Sequence, residues 1–191
     1  MATAEPTPRR TRVDAERNRD KLIEAAKAAY TAAGGPVPLE TIARDAGVGI
    51  GTLYRHFPTR DALVEAVYAA ELDDVTGSVP DLLRRHRPDA ALRAWMERYA
   101  TFVATKRAMA ETLRAGWASG RIATSATRER IGAALATLLA RGAEAGMLRA
   151  DTDPDDVTVL LLGTLLASAD TPGQTARLLD LIIDALRPKT G

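Results

Sequence analysis

The stretch GVGIGTLYRHFPTRDALVEAVY, from Gly47 to Tyr68, decides the fold. In a chain otherwise rich in alanine and leucine, it gathers three glycines, one of two histidines and a proline. Gly47 follows a run in which Leu39, Ile42, Ala43 and Ala46 share one face, so it reads as the C-terminal cap of a short helix from Leu39 to Ala46. Beyond the turn at Val48 and Gly49, the residues Ile50, Leu53, Tyr54 and Phe57 recur at i, i+3, i+4 and i+7. That spacing predicts a two-turn helix with these four on its packed face and Gly51, Thr52, Arg55 and His56 on the other. Pro58 stops the helix, and Thr59 caps the next, on which Leu63, Val64 and Val67 share a face. Two short helices joined by a glycine-containing turn, the second showing a Thr/Arg/His face, make a helix-turn-helix.

Toward the N-terminus, Leu22, Ile23, Ala26, Ala29, Tyr30 and Ala33 mark a helix that starts near Ala15 and ends at Gly34-Gly35. Residues 1–14 are rich in Pro, Thr and Arg, show no apolar period, and read as a flexible basic arm. The first sixty residues carry ten Lys/Arg against seven Asp/Glu, in a chain of net charge +1. This mild asymmetry permits an anionic partner at the N-terminal end without demanding one.

Toward the C-terminus, Asp73 to Pro88 is charged and turn-rich and marks a change of domain or a kinked connector. Helical periodicity then resumes, with helices expected near 89–105, 107–118, 125–145, 155–169 and 173–187. No segment alternates at period two. The fold class is all-α, with a flexible arm (1–14), a three-helix helix-turn-helix domain (15–72) and a helical effector-binding and dimerisation domain (73–191). VTVLLLGTLLASA is apolar nearly all round, and LLDLIIDAL has a wide apolar face with Leu181 beside it. Such helices call for a partner beyond their own subunit, and Gly163 and Ala167 would admit one closely. A homodimer through helices near 155–187 follows, with Leu161 and Ile182 expected in the seam.

Trp95, Tyr99, Phe102 and Val103 form one stripe, and Met109, Leu113 and Trp117 a second, although aromatics are only 4% of the chain. Such a stripe is either filled core or the lining of a cavity. As a lining it suits an apolar or aromatic small molecule, oriented by Arg114 or Tyr99.

The absence of cysteine excludes disulfides and thiolate metal sites, and two distant histidines, His56 and His86, make a histidine-built metal site improbable. No cofactor is implied. The N-terminus lacks the apolar core of a signal peptide, and the most apolar run, Val157 to Ala169, is short for a bilayer span. No membrane association is expected, and the cytoplasm is the expected location.

ETIARDAGVGIGTLYRHFPTRDALVEAVY resembles the DNA-binding domain of the tetracycline-repressor (TetR) family, over about residues 16–68. The resemblance implies that Leu39 to Ala46 is the supporting helix and Ile50 to Phe57 the recognition helix. It implies a phosphate contact from the Tyr54 hydroxyl and base or phosphate contacts from Thr52 and Arg55. It also implies close backbone approach at Gly51 and a phosphate contact from Arg60. His56 either touches DNA or packs, and Thr41 either approaches a phosphate or simply faces solvent. The sequence departs from the family pattern at Gly49 and Ile50, where a small hydroxyl residue and then a cation are common, and at Pro38, where Thr or Ser usually begins the supporting helix. Arg9, Arg10 and Arg12 of the arm are candidates for compensation.

The family further implies a transcriptional regulator, expected to be a repressor released by a small effector. Its partners would be a double-stranded operator with an inverted repeat, and a second copy of the chain. Two other classes stay open on the residues alone: a constitutive DNA binder or helical scaffold without effector, and a small helical enzyme using His56 as general base.

Overall fold

In the computed structural model the described residues are 8–188, apart from 34, 119, 121, 123, 170 and 172. Side chains are described at all of these except 8–12, 115, 117 and 124. Ten helices follow one another among them, with no strand: α1 (Pro8–Ala33), α2 (Leu39–Asp45), α3 (Ile50–His56), α4 (Arg60–Gly77), α5 (Val79–Arg85), α6 (Pro88–Ala108), α7 (Ala110–Ala118), α8 (Thr124–Glu144), α9 (Pro154–Ala167) and α10 (Gln174–Ala185). Two expectations change. Residues 8–14, read as part of a flexible arm, already belong to α1. The segment 73–88, read as a turn-rich connector, is helical across most of its length, with a kink at Ser78 between α4 and α5.

The N-terminal head packs α1, α2 and α3 against one another. Helices of seven residues are not stable in isolation, and neither α2 nor α3 has a side-chain cap, since Pro38 and Gly49 occupy the cap positions. Tertiary burial therefore holds them. Leu39, Ile42 and Ala43 anchor α2, while Leu53 and Phe57 anchor α3, each large side chain contributing about 1.5–3 kcal/mol. Between them Gly47 takes a left-handed φ of 67°, and its N–H reaches the Arg44 carbonyl at 3.0 Å. The Arg19 guanidinium lies 5.5 Å from the centre of the Phe57 ring and ties α1 to the end of α3.

One long helix, α4, joins head to body. The Thr59 hydroxyl caps it, accepting from the Ala62 N–H at 3.1 Å, and the helix packs against α1, α6, α7 and α8. At its junction with α1, Lys27 pairs with the buried Glu71. Burial alone would lower the Lys27 pKa, but the hydrogen bond and charge of Glu71 outweigh it and raise it. α6 is the central helix of the body, touching α1, α4, α5, α7, α8, α9 and α10. Arg93 on α6 holds α10 by donating to Asp180 at 2.7 Å and to the Ala176 carbonyl at 3.3 Å.

The connection from α8 to α9 is fixed by its sequence. Gly146 adopts a φ of 66°, and the Met147 N–H closes onto the Gly142 carbonyl at 2.9 Å. Arg149 clamps Asp151 through two bonds of 2.6 and 2.7 Å, and Asp153 caps α9 by accepting from the Asp155 N–H at 2.8 Å. Leu148 folds back so closely that a Cβ on Gly142 would overlap its Cδ1 and lie 2.6 Å from its Cγ and 3.0 Å from its Cβ. Gly142→Ala gains about 1 kcal/mol of helix propensity but meets an overlap that turning the leucine does not relieve, costing about 1–3 kcal/mol. A net loss of stability in urea unfolding is the expected result; an unchanged midpoint would mean the turn yields easily.

The protomer leaves one apolar face uncovered. Leu161 and Ile182, expected between subunits, are instead buried in the protomer's own core. The outward residues are Val159, Leu160 and Leu166 on α9 and Leu181 on α10. Gly163 lies among them, and a Cβ placed there would meet nothing. No helix of the described residues is long and apolar enough to cross a membrane.

Candidate nucleic-acid interface and internal cavity

The outer face of α3 carries the first candidate site. Ile50, Gly51, Tyr54 and Arg55 are exposed, and Thr52 and His56 are half-buried. The periodic reading that put Ile50 and Tyr54 on the packed side is thus corrected: they are 38% and 47% exposed, and only Leu53 and Phe57 point inward. A helix of two turns lying on a surface needs few anchors, so apolar residues remain for the outside. The α3 sequence contains no carboxylate, and nothing on it would repel a phosphate backbone.

The remaining predicted contacts fall around this helix differently. Thr41 on α2 is half-buried. Arg60 turns back and donates to the Val37 carbonyl at 2.6 Å, beside the Tyr30 hydroxyl, whose pKa burial raises and the guanidinium opposes. Arg60 is thus a clip between α4 and the α1–α2 connector. His56 has its ring 6.3 Å from that of Phe57. Side chains of Arg9, Arg10 and Arg12 lie outside the described residues.

The second site is a cavity of about 320 Å³ between the body helices. Tyr68 enters it from α4; Tyr99, Phe102, Val103, Lys106 and Arg107 from α6; and Ala110 from α7. Thr127, Arg128 and Ile131 of α8, with Thr158, Leu162 and Leu166 of α9, complete the wall. The Tyr68 hydroxyl hydrogen-bonds the Thr127 hydroxyl at 2.8 Å, and the Phe102 ring stands 5.6 Å from Tyr68 and 6.2 Å from Tyr99. Burial, with Tyr68 adding to it, pushes the Tyr99 pKa up to about 12. Its hydroxyl is therefore a neutral donor at any physiological pH.

The six-residue aromatic and apolar set does not converge on this space. Tyr99 and Phe102 line it. Trp95 is fully buried one layer behind, stacked on Tyr99 at 5.5 Å and donating to the Val75 carbonyl at 3.1 Å. Met109 and Leu113 are buried but are not part of the wall, and the Trp117 side chain lies outside the described residues. Arg114 is exposed and also outside the wall. Sequence reasoning passed over Tyr68, Lys106, Arg128 and the α9 residues. A signal existed for the last group, since Thr158, Leu162 and Leu166 recur every fourth residue.

A helix-turn-helix head joined by one continuous helix to an all-helical body with an internal cavity defines a ligand-binding class of DNA-binding regulator. Residues 22–67 match the family model "Bacterial regulatory proteins, tetR family", and residues 87–188 match "Transcriptional regulator SbtR-like, C-terminal domain". A TetR transcriptional regulator from Streptomyces coelicolor is similar at 43% identity, over 90% of this chain and 99% of that one, with a TM-score of 0.81. A TetR transcription regulatory protein from Mycobacterium vanbaalenii is similar at 33% identity, over 93% and 99%, with a TM-score of 0.73. The ketosteroid transcriptional regulator of Mycobacterium tuberculosis, at 19% identity, 90% and 95% coverage and a TM-score of 0.56, shares the fold. The chain belongs to the TetR family of transcriptional regulators.

Proposed function

We propose that the protein is a homodimeric repressor that binds an inverted-repeat operator in the cytoplasm and leaves it when a small molecule fills the cavity. The observation that carries this reading is the continuity of α4. Its first residue, Arg60, is clipped to the head, and Tyr68, eight residues on, forms part of the cavity wall. Arg130 of α8 grips the same helix further along, through Asp73 at 2.7 Å and Thr76 at 2.8 Å. A ligand that separates Tyr68 from Thr127 shifts α4, and a shift of α4 moves α3 relative to its copy in the dimer.

On the DNA, α3 enters the major groove. Arg55 reads a base edge, Tyr54 contacts phosphate through its hydroxyl, Ile50 offers an apolar contact, and Gly51 allows close approach. Thr52, His56 and Thr41 flank that face, while Arg60 holds the head in shape. The uncovered face of α9 and α10 joins the two copies. No reaction is assigned: His56, on which an enzymatic reading would rest, serves the DNA-facing helix.

Selection of bound duplexes from a random pool, followed by anisotropy of the enriched duplex against a compound panel, tests the whole reading. An inverted repeat should be enriched. A true effector should raise the melting temperature, by about 2.7 kcal/mol of stabilisation at a hundredfold excess over Kd, and release the duplex over the same concentrations. Tyr68→Phe should hold DNA as well as the parent and release it less readily. Enrichment of no repeat would overturn the DNA assignment; release unaffected by Tyr68→Phe would overturn the α4 route.

A further inference from the structure

We propose that the cavity takes a small amphipathic acid: an apolar alkyl or aryl body ending in a single carboxylate. This rests on the effector reading above and names the chemistry of the effector. Three cations, Lys106, Arg107 and Arg128, belong to the wall, and no Asp or Glu does. A ligand carboxylate set among them gains from all three and meets no opposing charge. A cationic ligand gains nothing there and is repelled.

The distribution of these groups orients the ligand. Arg107 and Arg128 are exposed and mark the mouth, while Lys106 is half-buried behind them. Burial lowers the Lys106 pKa, so this ammonium is held where positive charge is costly, and a ligand anion relieves that cost. The depth is apolar: Tyr99, Phe102 and Ile131 are buried, with Leu162 half-buried at the α9 wall. The volume of about 320 Å³ holds about ten water-sized groups at ~30 Å³ each. An eight-carbon acid matches this size. Hydroxyls of Thr127 and Thr158 on the wall, and the protonated Tyr99, add donors or acceptors for the head group without reversing the preference for an anion.

The test uses the full chain and four probes sharing one skeleton: octanoate, octanamide, octan-1-ol and octylamine. Calorimetry and thermal shift should show octanoate binding at least tenfold tighter than octanamide or octan-1-ol, and octylamine not binding. Lys106→Gln with Arg128→Gln should lower octanoate affinity at least tenfold and leave octanamide unchanged. If the double variant does not fold by circular dichroism, Arg128→Gln alone, at an exposed position, carries the same comparison with a smaller loss. Leu162→Trp, which fills the cavity, should remove octanoate binding.

Equal or tighter binding of the amide or alcohol would overturn the acid and leave an effector-released repressor standing. So would failure of all four probes to bind. Octanoate binding unchanged in Leu162→Trp would overturn the location. Octanoate that binds as expected yet releases no operator DNA would count against the effector reading and not against the ligand class.

Discussion

Val159→Glu combined with Leu181→Glu converts the dimer to a monomer that no longer holds its operator. Both side chains are outward, 70% and 62% exposed in the protomer, so the substitutions cost the isolated fold little. Across a dimer seam, four carboxylates would have to leave water without partners, which an apolar interface does not tolerate. A lone head then binds a half-site without its tethered twin, and the loss of that second attachment is worth about 10²–10⁴ in affinity. Sedimentation measures the first effect and anisotropy with the selected duplex the second. A doubly substituted protein that still sediments as a dimer at micromolar concentration would place the seam elsewhere. Leu161→Glu or Ile182→Glu should behave differently and unfold the protomer, since both residues are in its core.

Arg55→Ala should produce the second largest loss. The guanidinium stands exposed on α3, in a helix without carboxylates. A bidentate pair with a base edge is worth about 1–3 kcal/mol. The substitution removes it from both half-sites, so the dimer loses roughly 30-fold to 10⁴-fold in affinity. The preference at one position of each half-site should relax at the same time. Tyr54→Phe, by contrast, should weaken all duplexes alike and far less, because a phosphate contact carries no base information. If Arg55→Ala selects the same sequence with the same affinity, another residue reads the base.

How much of this was legible in the sequence depended on what each pattern measures. The helix-turn-helix was legible because glycine, proline and the Thr59 cap punctuate it at fixed places. The α3 face was only half legible: apolar spacing marks residues that could be buried, and at Ile50 and Tyr54 the protein spends that capacity outside. The 73–88 segment looked like a connector because of its charges. In the structure, Asp73 and Asp74 sit on the outer side of a helix and pair with Arg130 and Lys27 across it. The cavity was least legible, since a filled core and a cavity wall obey the same period. Only the packing of α6 among its neighbours separates Trp95, which is core, from Tyr99 one turn later. The cations of the wall gave no sign at all, because Lys106 and Arg128 read as ordinary solvated helix charges.

The way α3 is held has a consequence for how such a protein changes over generations. Its attachment to the scaffold passes through Leu53 and Phe57, both pointing inward, while Ile50, Gly51, Tyr54 and Arg55 point away from every other element. Substitutions at the outward four therefore alter which duplex is recognised without drawing on the stability of the head. Address and architecture are written in different letters of the same seven-residue word. A duplicated copy of this chain can acquire a new target site by drift at those positions while its folding, pairing and response to a ligand continue unchanged.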